Sequence, residues 1–456
     1  MTLPADDIRK KLRSGSLPVT VVGLGWMGLP TACLLADVGA KVTGLDTNRR
    51  VVEAVNKGLS PFSEPGLPQL LKRLVREGRL KATLSTEDSI RESGVVFIIL
   101  PTLIDRQRKP DYTSVENASR EIGKSLQEGA LIIFESTCGP GVTERLVKRT
   151  VEKHSGLKAG ENLGLAYSPI RAMIGTALKD LSHYARIVGG IDSKSLEAAS
   201  EALRTFVRGE IVKVRDIRTA EAAKLFEAIY RDVNIALANE FAMFSEKAGI
   251  DYSEAMRAAN TQPYSHLHSP GVGVGGHCLP VYPYLLEAEA REVDENLKLV
   301  KSAREINDGM PKHTLRLAAS GLRVSGRPVA RSRVTVLGIS YRQNTKETRF
   351  SPATELIELL RRRGARVTVF DPKYTSSELK QMDYDTKPTL KMALEKADCA
   401  IFTVAHDEFR QLKVSDLISS MSKQPVIVDG PRIFDPAAIE KTGAIYRGVG
   451  IGTWAR

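Results

Sequence analysis

Along the chain, short apolar runs alternate with helix-length stretches. Val19 to Val22 is a β-rich run that ends in Gly23-Leu24-Gly25-Trp26-Met27-Gly28. A helical stretch to about Gly39 follows, then a strand-like run from Lys41 to Leu45 that stops at Asp46. Val95 to Leu100 and Leu131 to Phe134 read as further strands. Strands that are apolar on both sides and separated by helices predict a parallel sheet covered on both faces.

The same plan returns near the C-terminus. Arg333 to Leu337 leads to Gly338, and residues 351–364 form a helical pattern closed by a glycine. Arg366 to Phe370 then stops at Asp371, as the earlier run stopped at Asp46. Cys399 to Val404 and Pro425 to Val428 supply two later strands. The likeness is one of architecture, with no repeat of fixed period.

Between these halves the period changes. Thr219 to Lys247 holds no Pro or Gly over 29 residues, and its apolar positions recur at helical spacing. One helix of about 40 Å is expected there at 1.5 Å per residue, and such a helix between two α/β domains suits dimerisation. The fold class is therefore α/β, with two parallel-sheet domains joined by a helical spacer that contains one long helix. A Gly-rich loop from Ser269 to Pro280 interrupts the spacer.

Composition narrows the partners. The chain has 456 residues and a formal charge of +12, yet only 6% are aromatic. Its dense basic runs are confined to residues 9–13 and 361–363. Scattered basic residues without a stacking cluster argue for anionic small substrates over nucleic acid. No apolar run approaches a membrane span, and the charged N-terminus lacks the apolar core of a signal peptide, so a cytoplasmic protein is expected. Four widely spaced cysteines, never as CxxC, argue against a disulfide framework and a cysteine zinc site. His266 and His268 precede His277 and Cys278, but no carboxylate pattern completes a ligand set, so no metal is expected.

The first glycine segment carries specific chemistry. Gly23, Gly25 and Gly28 follow a strand, open a helix and precede an acid at Asp46, the context of a Rossmann dinucleotide fingerprint. Asp46 would accept the ribose hydroxyls and repel a 2′-phosphate, favouring NAD over NADP. Trp26, Met27 and Arg50 complete the cofactor contacts expected locally, although Arg49 and Arg50 weaken the preference against phosphate. Gly338-Ile339-Ser340 lacks the fingerprint, so the second half is expected to bind something other than a dinucleotide.

The second segment is Gly271-Val272-Gly273-Val274-Gly275-Gly276-His277-Cys278. Four glycines let backbone amides approach a ligand and deliver a thiol among them, where a lowered pKa would make it a nucleophile. Through this loop and the stretches that follow, the chain resembles the UDP-glucose / UDP-N-acetylmannosamine dehydrogenase family. The matching stretches are GLGWMGLPTA (23–32), EPGL (64–67), LPT (100–102), ESTCGPGVTE (135–144) and SP-R---G (168–175). KLFEAIYRDVNIALANE (224–240), PGVGVGGHCLP (270–280), GISYRQNTKETRFSPA (338–353) and DGPRIF (429–434) continue the match.

The resemblance implies an NAD-binding Rossmann domain (1–215), a helical dimerisation domain (216–322) and a nucleotide-sugar-binding Rossmann-like domain (323–456), in a homodimer. The implied reaction oxidises the C6 alcohol of a UDP-sugar to the uronate with two NAD, through a thiohemiacetal and a thioester on Cys278. Lys224 would stabilise the developing oxyanions. Thr102 and Thr137 would line the NAD site, and Arg349 would contact its phosphates. Gly275, His277, Arg342, Arg432 and Tyr264 fall at substrate-binding positions. Arg342 replaces a Lys, keeping charge and changing shape. The GGHC form of the loop points to a UDP-N-acetylhexosamine.

Four positions depart from the family pattern. Ile170 stands where a Glu activates the hydrolytic water, and Ala228 where an Asn follows the catalytic Lys. Tyr282 replaces an Asp four residues after the Cys, and Tyr264 an Arg that reaches the neighbouring active site. Glu227 lies beside Ala228 but points roughly 100° around the helix. Loss of a general base costs about 10²- to 10⁴-fold. Alternatives to full oxidation are therefore an NAD-dependent epimerase, partial oxidation, or a nucleotide-sugar-binding relative with little catalysis.

Overall fold

The computed structural model describes residues Ala5 to Gly452. The chain forms two compact units, one running to Glu227 with Tyr284–Asn296 added, the other holding Ala228–Pro283 and the chain from Leu297 onward.

The first unit is built on an eight-stranded sheet. From one edge its strands are Ile211–Lys213, Arg186–Gly190, Gly164–Tyr167, Leu131–Phe134, Val95–Ile98, Val19–Val22, Val42–Leu45 and Leu80–Thr83. All neighbours are parallel except Gly164–Tyr167 against Arg186–Gly190. Alternate residues supply the two faces. Val19, Val21, Val95, Phe97, Leu131 and Ile133 enter one apolar cluster, and Val96, Ile98, Ile132 and Phe134 enter the other. Thr20 is the polar exception, and its hydroxyl is satisfied by Ser89 O and Ser93 Oγ at 2.9 and 2.6 Å. Chain order reverses between Val19–Val22 and Val95–Ile98, the crevice where ligands bind in open α/β sheets.

The second unit carries a five-stranded, wholly parallel sheet in the order Arg366–Phe370, Arg333–Leu337, Cys399–Phe402, Val426–Asp429, Ile445–Gly448. Its first four strands repeat the order of four central strands in the larger sheet, which is the repetition the apolar runs predict. The helix Pro352–Arg362 is capped by the Ser351 side chain and followed by Gly364 at φ 79°. The long helix spans Ile217–Ala248, two residues beyond the pattern at its start and one at its end.

A second long helix, Lys298–Val324, contains Pro311, which the periodicity does not announce. Within the second unit it meets the long helix through a buried polar chain. Arg304 donates to Asp232 at 2.6 Å, Asn307 to Asp232 at 2.9 Å, and Asn239 to Asn307 at 2.9 Å. Among the described residues no helix is long and apolar enough to cross a membrane.

Removing one partner of a buried ion pair strands the other charge. Asp232→Ala is expected to destabilise the chain by about 3–5 kcal/mol, read as a lower urea midpoint for the transition that carries the second unit.

Candidate active site

The fingerprint turn is shaped by atoms that leave no room for side chains. A Cβ on Gly28 would lie 1.8 Å from Gly23 O, and one on Gly23, at φ 93°, 2.3 Å from Ile99 O. The middle glycine differs: a Cβ on Gly25 would meet nothing within 4 Å. Two glycines thus serve helix–strand packing and the third faces open space, as a pyrophosphate against the helix start requires. Met27 precedes the helix Gly28–Asp37 and packs on the first apolar cluster, while Trp26 stacks 4.4 Å from Phe62.

Asp46 Oδ2 accepts from Leu24 N at 2.8 Å and its Oδ1 from Asn48 N at 2.8 Å. The acid therefore sits against the turn after the first strand. Arg50 is exposed in the next helix. Thr102 and Thr137 are brought together by a 2.6 Å bond from Thr102 Oγ1 to Thr137 O, across the ends of two adjacent strands. These residues fit a dinucleotide.

Lys224 lies about two turns into the long helix and is 9% exposed. One turn earlier Glu221, fully buried, fastens the loop after Thr137. It accepts from Gly141 N, from Thr143 N at 2.8 Å, and from the Cys138 thiol at 3.2 Å. Burial beside this carboxylate pushes the Cys138 thiol far above its usual range. Burial also lifts Glu221 itself, against the opposing bonds from Thr143 and Gly141.

In the second unit the glycine loop lies flat on its neighbours. A Cβ on Gly275 would come 2.7 Å from Tyr341 Cβ, and one on Gly276 2.7 Å from Tyr341 Cε2. Gly276 N donates to Arg349 O at 2.9 Å, and Gly271 N to Asn239 Oδ1 at 3.0 Å, which ties the loop to the buried polar chain. Cys278 is half-buried, whereas Cys33, Cys138 and Cys399 are buried. Burial raises Cys33 to about 12 and pushes Cys399 higher still.

His277 Nε2 sits 3.3 Å from Glu347 Oε2. The His277 bond, aided by Arg349 N, holds the Glu347 carboxyl below its ordinary range against the opposing effect of burial. Tyr282 N donates to Cys278 O at 2.8 Å, and Arg342 Nε reaches Thr345 Oγ1 at 3.3 Å. Arg349 is exposed. Arg432, at φ 58°, pairs with Asp251 at 3.0 Å. Tyr264 is 89% exposed.

Ile170 packs on the first apolar cluster, and Ala228 is buried.

The chain matches the UDP-glucose/GDP-mannose dehydrogenase family throughout, with its NAD binding domain at residues 17–207, its central domain at 218–309 and its UDP binding domain at 335–436. The chain belongs to this family. It is 36% identical to UDP-N-acetyl-D-mannosamine dehydrogenase of Pyrococcus horikoshii, over 95% of this chain and 99% of that one. It is 34% identical to an NDP-N-acetyl-D-galactosaminuronic acid dehydrogenase of Ralstonia solanacearum, over 88% and 93% of the two chains. The solved structure of the Pyrococcus horikoshii UDP-D-ManNAc dehydrogenase superposes with a TM-score of 0.88 at 35% identity, covering 96% of this chain and all (100%) of that one. This dehydrogenase is thus an NAD-dependent nucleotide-sugar oxidoreductase.

Several working residues carry no loud sequence signal. Glu64 accepts from Gly175 N and Ala177 N at 2.6 and 2.7 Å, and Glu135 forms a buried pair with Arg186. Glu64 and Glu135 begin the EPGL and ESTCGPGVTE stretches, the only hint available. Glu221 and Glu347 are single acids in segments of mixed polarity.

A charge-assisted bond is worth about 1.5–3 kcal/mol, so Asp46→Ala is expected to weaken NAD binding about 10- to 100-fold, measured by titration calorimetry. Because the folded pKa of Glu347 is lowered, its contribution is present above the ordinary carboxylate pKa and lost as pH falls through the folded value. In thermal unfolding, the stability gap between the native chain and Glu347→Gln is expected to be widest near pH 6 and to close below about pH 4.

Proposed function

We propose that this dehydrogenase oxidises the C6 alcohol of a UDP-N-acetylhexosamine to the uronate in two steps on Cys278. The observation that carries the reading is the half-buried Cys278 thiol, presented by a glycine loop laid against Tyr341 and pinned through His277 to Glu347. The relatives named above act on N-acetylated sugars, which supports the acetamido substrate.

Bound NAD supplies the hydride acceptor for each oxidation. The thiol adds to the C6 aldehyde to give a thiohemiacetal, whose oxidation leaves a thioester for water to cleave. The Lys224 ammonium would stabilise the oxyanions of these steps. Gly23, Gly25, Gly28, Trp26, Met27, Asp46, Arg50, Thr102, Thr137 and Arg349 are the proposed cofactor contacts. Arg342 and Arg432 would offer positive charge to the sugar nucleotide, with Gly275 and His277 bordering the sugar.

We assign residues 216–322 to a dimerisation region. Tyr230, Phe241 and Phe244 are 60%, 41% and 62% exposed on one face of the long helix, an apolar stripe suited to a second copy. Tyr264, projecting into solvent, would then serve the neighbouring subunit's substrate site. A second reading, partial oxidation or epimerisation, draws on Ile170, whose side chain packs into an apolar cluster and offers no proton acceptor.

A panel of UDP-hexoses and UDP-N-acetylhexosamines with NAD, followed at 340 nm and by mass spectrometry, separates the readings. Two NADH per uronate are expected; an isomeric sugar without net NADH would replace dehydrogenation by epimerisation. Cys278→Ala is expected to abolish uronate formation while NAD binding persists. Phe244→Glu is expected to shift the chain from dimer to monomer in sedimentation velocity.

A further inference from the structure

His406 is fully buried in the second unit, shortly after the strand Cys399–Phe402. Phe409 packs edge-on against its ring at 5.6 Å. The two ring nitrogens meet opposite partners. Nε2 sits 3.3 Å from Asp371 Oδ2, and Nδ1 sits 2.9 Å from Asn344 N, which can only donate. The ring hydrogen therefore lies on Nε2, and Nδ1 is the acceptor of the Asn344 amide.

Asn344 is exposed and stands at φ 56°, a left-handed conformation that a β-branched residue resists. Its side chain closes the same contact. Nδ2 donates to Asp407 Oδ2 at 2.7 Å, and Oδ1 accepts from Asp407 N at 3.2 Å. The segment 341–349 is thus tied at its middle to residues 406 and 407. Tyr341 N donates to Glu347 O at 2.9 Å and draws the flanks of the segment together. Those flanks carry the contacts to the thiol loop: Tyr341 against Gly275 and Gly276, Glu347 on His277, and Arg349 O on Gly276 N. Asp371 anchors the far side of the ring, because it also accepts from Ile339 N and Ser340 N. One continuous set of bonds therefore runs from His406 to the residue before Cys278, all within the second unit.

We infer that His406 is a positioning residue of the sugar-nucleotide site. By accepting the Asn344 amide it fixes the segment that carries Arg342 and supports the His277–Cys278 end of the thiol loop. Being fully buried, it acts through that segment. The effect on the sugar nucleotide rests on the dehydrogenase reading above; the effect on the thiol loop does not.

Two substitutions separate the two bonds of the ring. In His406→Asn the side-chain oxygen falls near the place of Nδ1 and can accept from Asn344 N. In His406→Gln the side-chain nitrogen falls near the place of Nε2 and can donate to Asp371, but the Asn344 amide loses its acceptor.

The test uses the full chain with UDP-N-acetylmannosamine and NAD in steady-state assays, together with the rate at which iodoacetamide alkylates Cys278, located by peptide mass. His406→Gln is expected to raise KM for the sugar nucleotide about 10- to 100-fold and to speed alkylation of Cys278, while NAD binding keeps its native affinity. His406→Asn is expected to stay within about threefold of the native KM and alkylation rate, a rescue that loss of packing alone would not allow. Asn344→Val opposes the left-handed turn from the surface, without touching the core, and is expected to repeat the His406→Gln result even if a core variant fails to fold. Equal impairment of the two His406 variants overturns the inference, as does native behaviour of His406→Gln or of Asn344→Val in both readouts. A native chain that reduces no NAD with any UDP-hexose overturns the dehydrogenase reading alone, and the alkylation rates then decide the role of His406.

Discussion

Where a parallel strand ends and the chain turns into a helix, backbone N–H groups lose their ladder partners and require an acceptor. In both sheets of this protein the acceptor is the aspartate that ends the neighbouring strand. Asp46 takes Leu24 N at 2.8 Å, and Asp371 takes Ile339 N at 2.8 Å and Ser340 N at 3.1 Å. The shared device fixes the turn that leaves Val19–Val22 in one sheet and Arg333–Leu337 in the other. What differs is what lies beyond the acid. Asp46 is half-buried, but Asp371 is fully buried against His406 at 3.3 Å. One aspartate can meet a ribose, and the other is closed off by the protein itself.

Around this frame the reactive groups are held by side chains that do no chemistry. Glu221 gathers the loop that follows Thr137 and stands one helical turn before Lys224, so cofactor loop and cation share a mount. In the second unit the chain from Arg304 through Asp232, Asn307 and Asn239 ends on Gly271 N, at the mouth of the thiol loop. Buried polar groups left unpaired are costly, so these networks restrict the loops to one arrangement. Stability and site geometry are therefore the same set of bonds.

The replaced positions read differently once the surroundings are known. Ile170 contributes apolar contact where a polar residue was expected, and Ala228 is buried without a polar group to satisfy. Tyr282 opens its helix with its N–H on Cys278 O, a backbone role that its side chain does not decide. Local structure thus accommodates Ile170, Ala228 and Tyr282, and the nearest acid to the Ile170 segment, Glu227, is bonded to Arg171 at 2.8 Å.

The amino-acid sequence by itself determined four strands of each sheet, the long helix and both glycine segments. Uninterrupted apolar runs, a stretch free of Pro and Gly, and glycines at fixed spacing act over a few residues and need no distant partner. Family membership was legible for the same reason, since it rests on contiguous stretches such as those around Gly25 and Cys278. The partners of single acids were not legible. Glu64 meets Gly175, Glu221 meets Thr143, and Glu227 meets Arg171 across separations of 111, 78 and 56 residues. A lone Glu carries no periodicity, so only the tertiary structure decides which acids are consumed by backbone amides and which pair with a distant arginine.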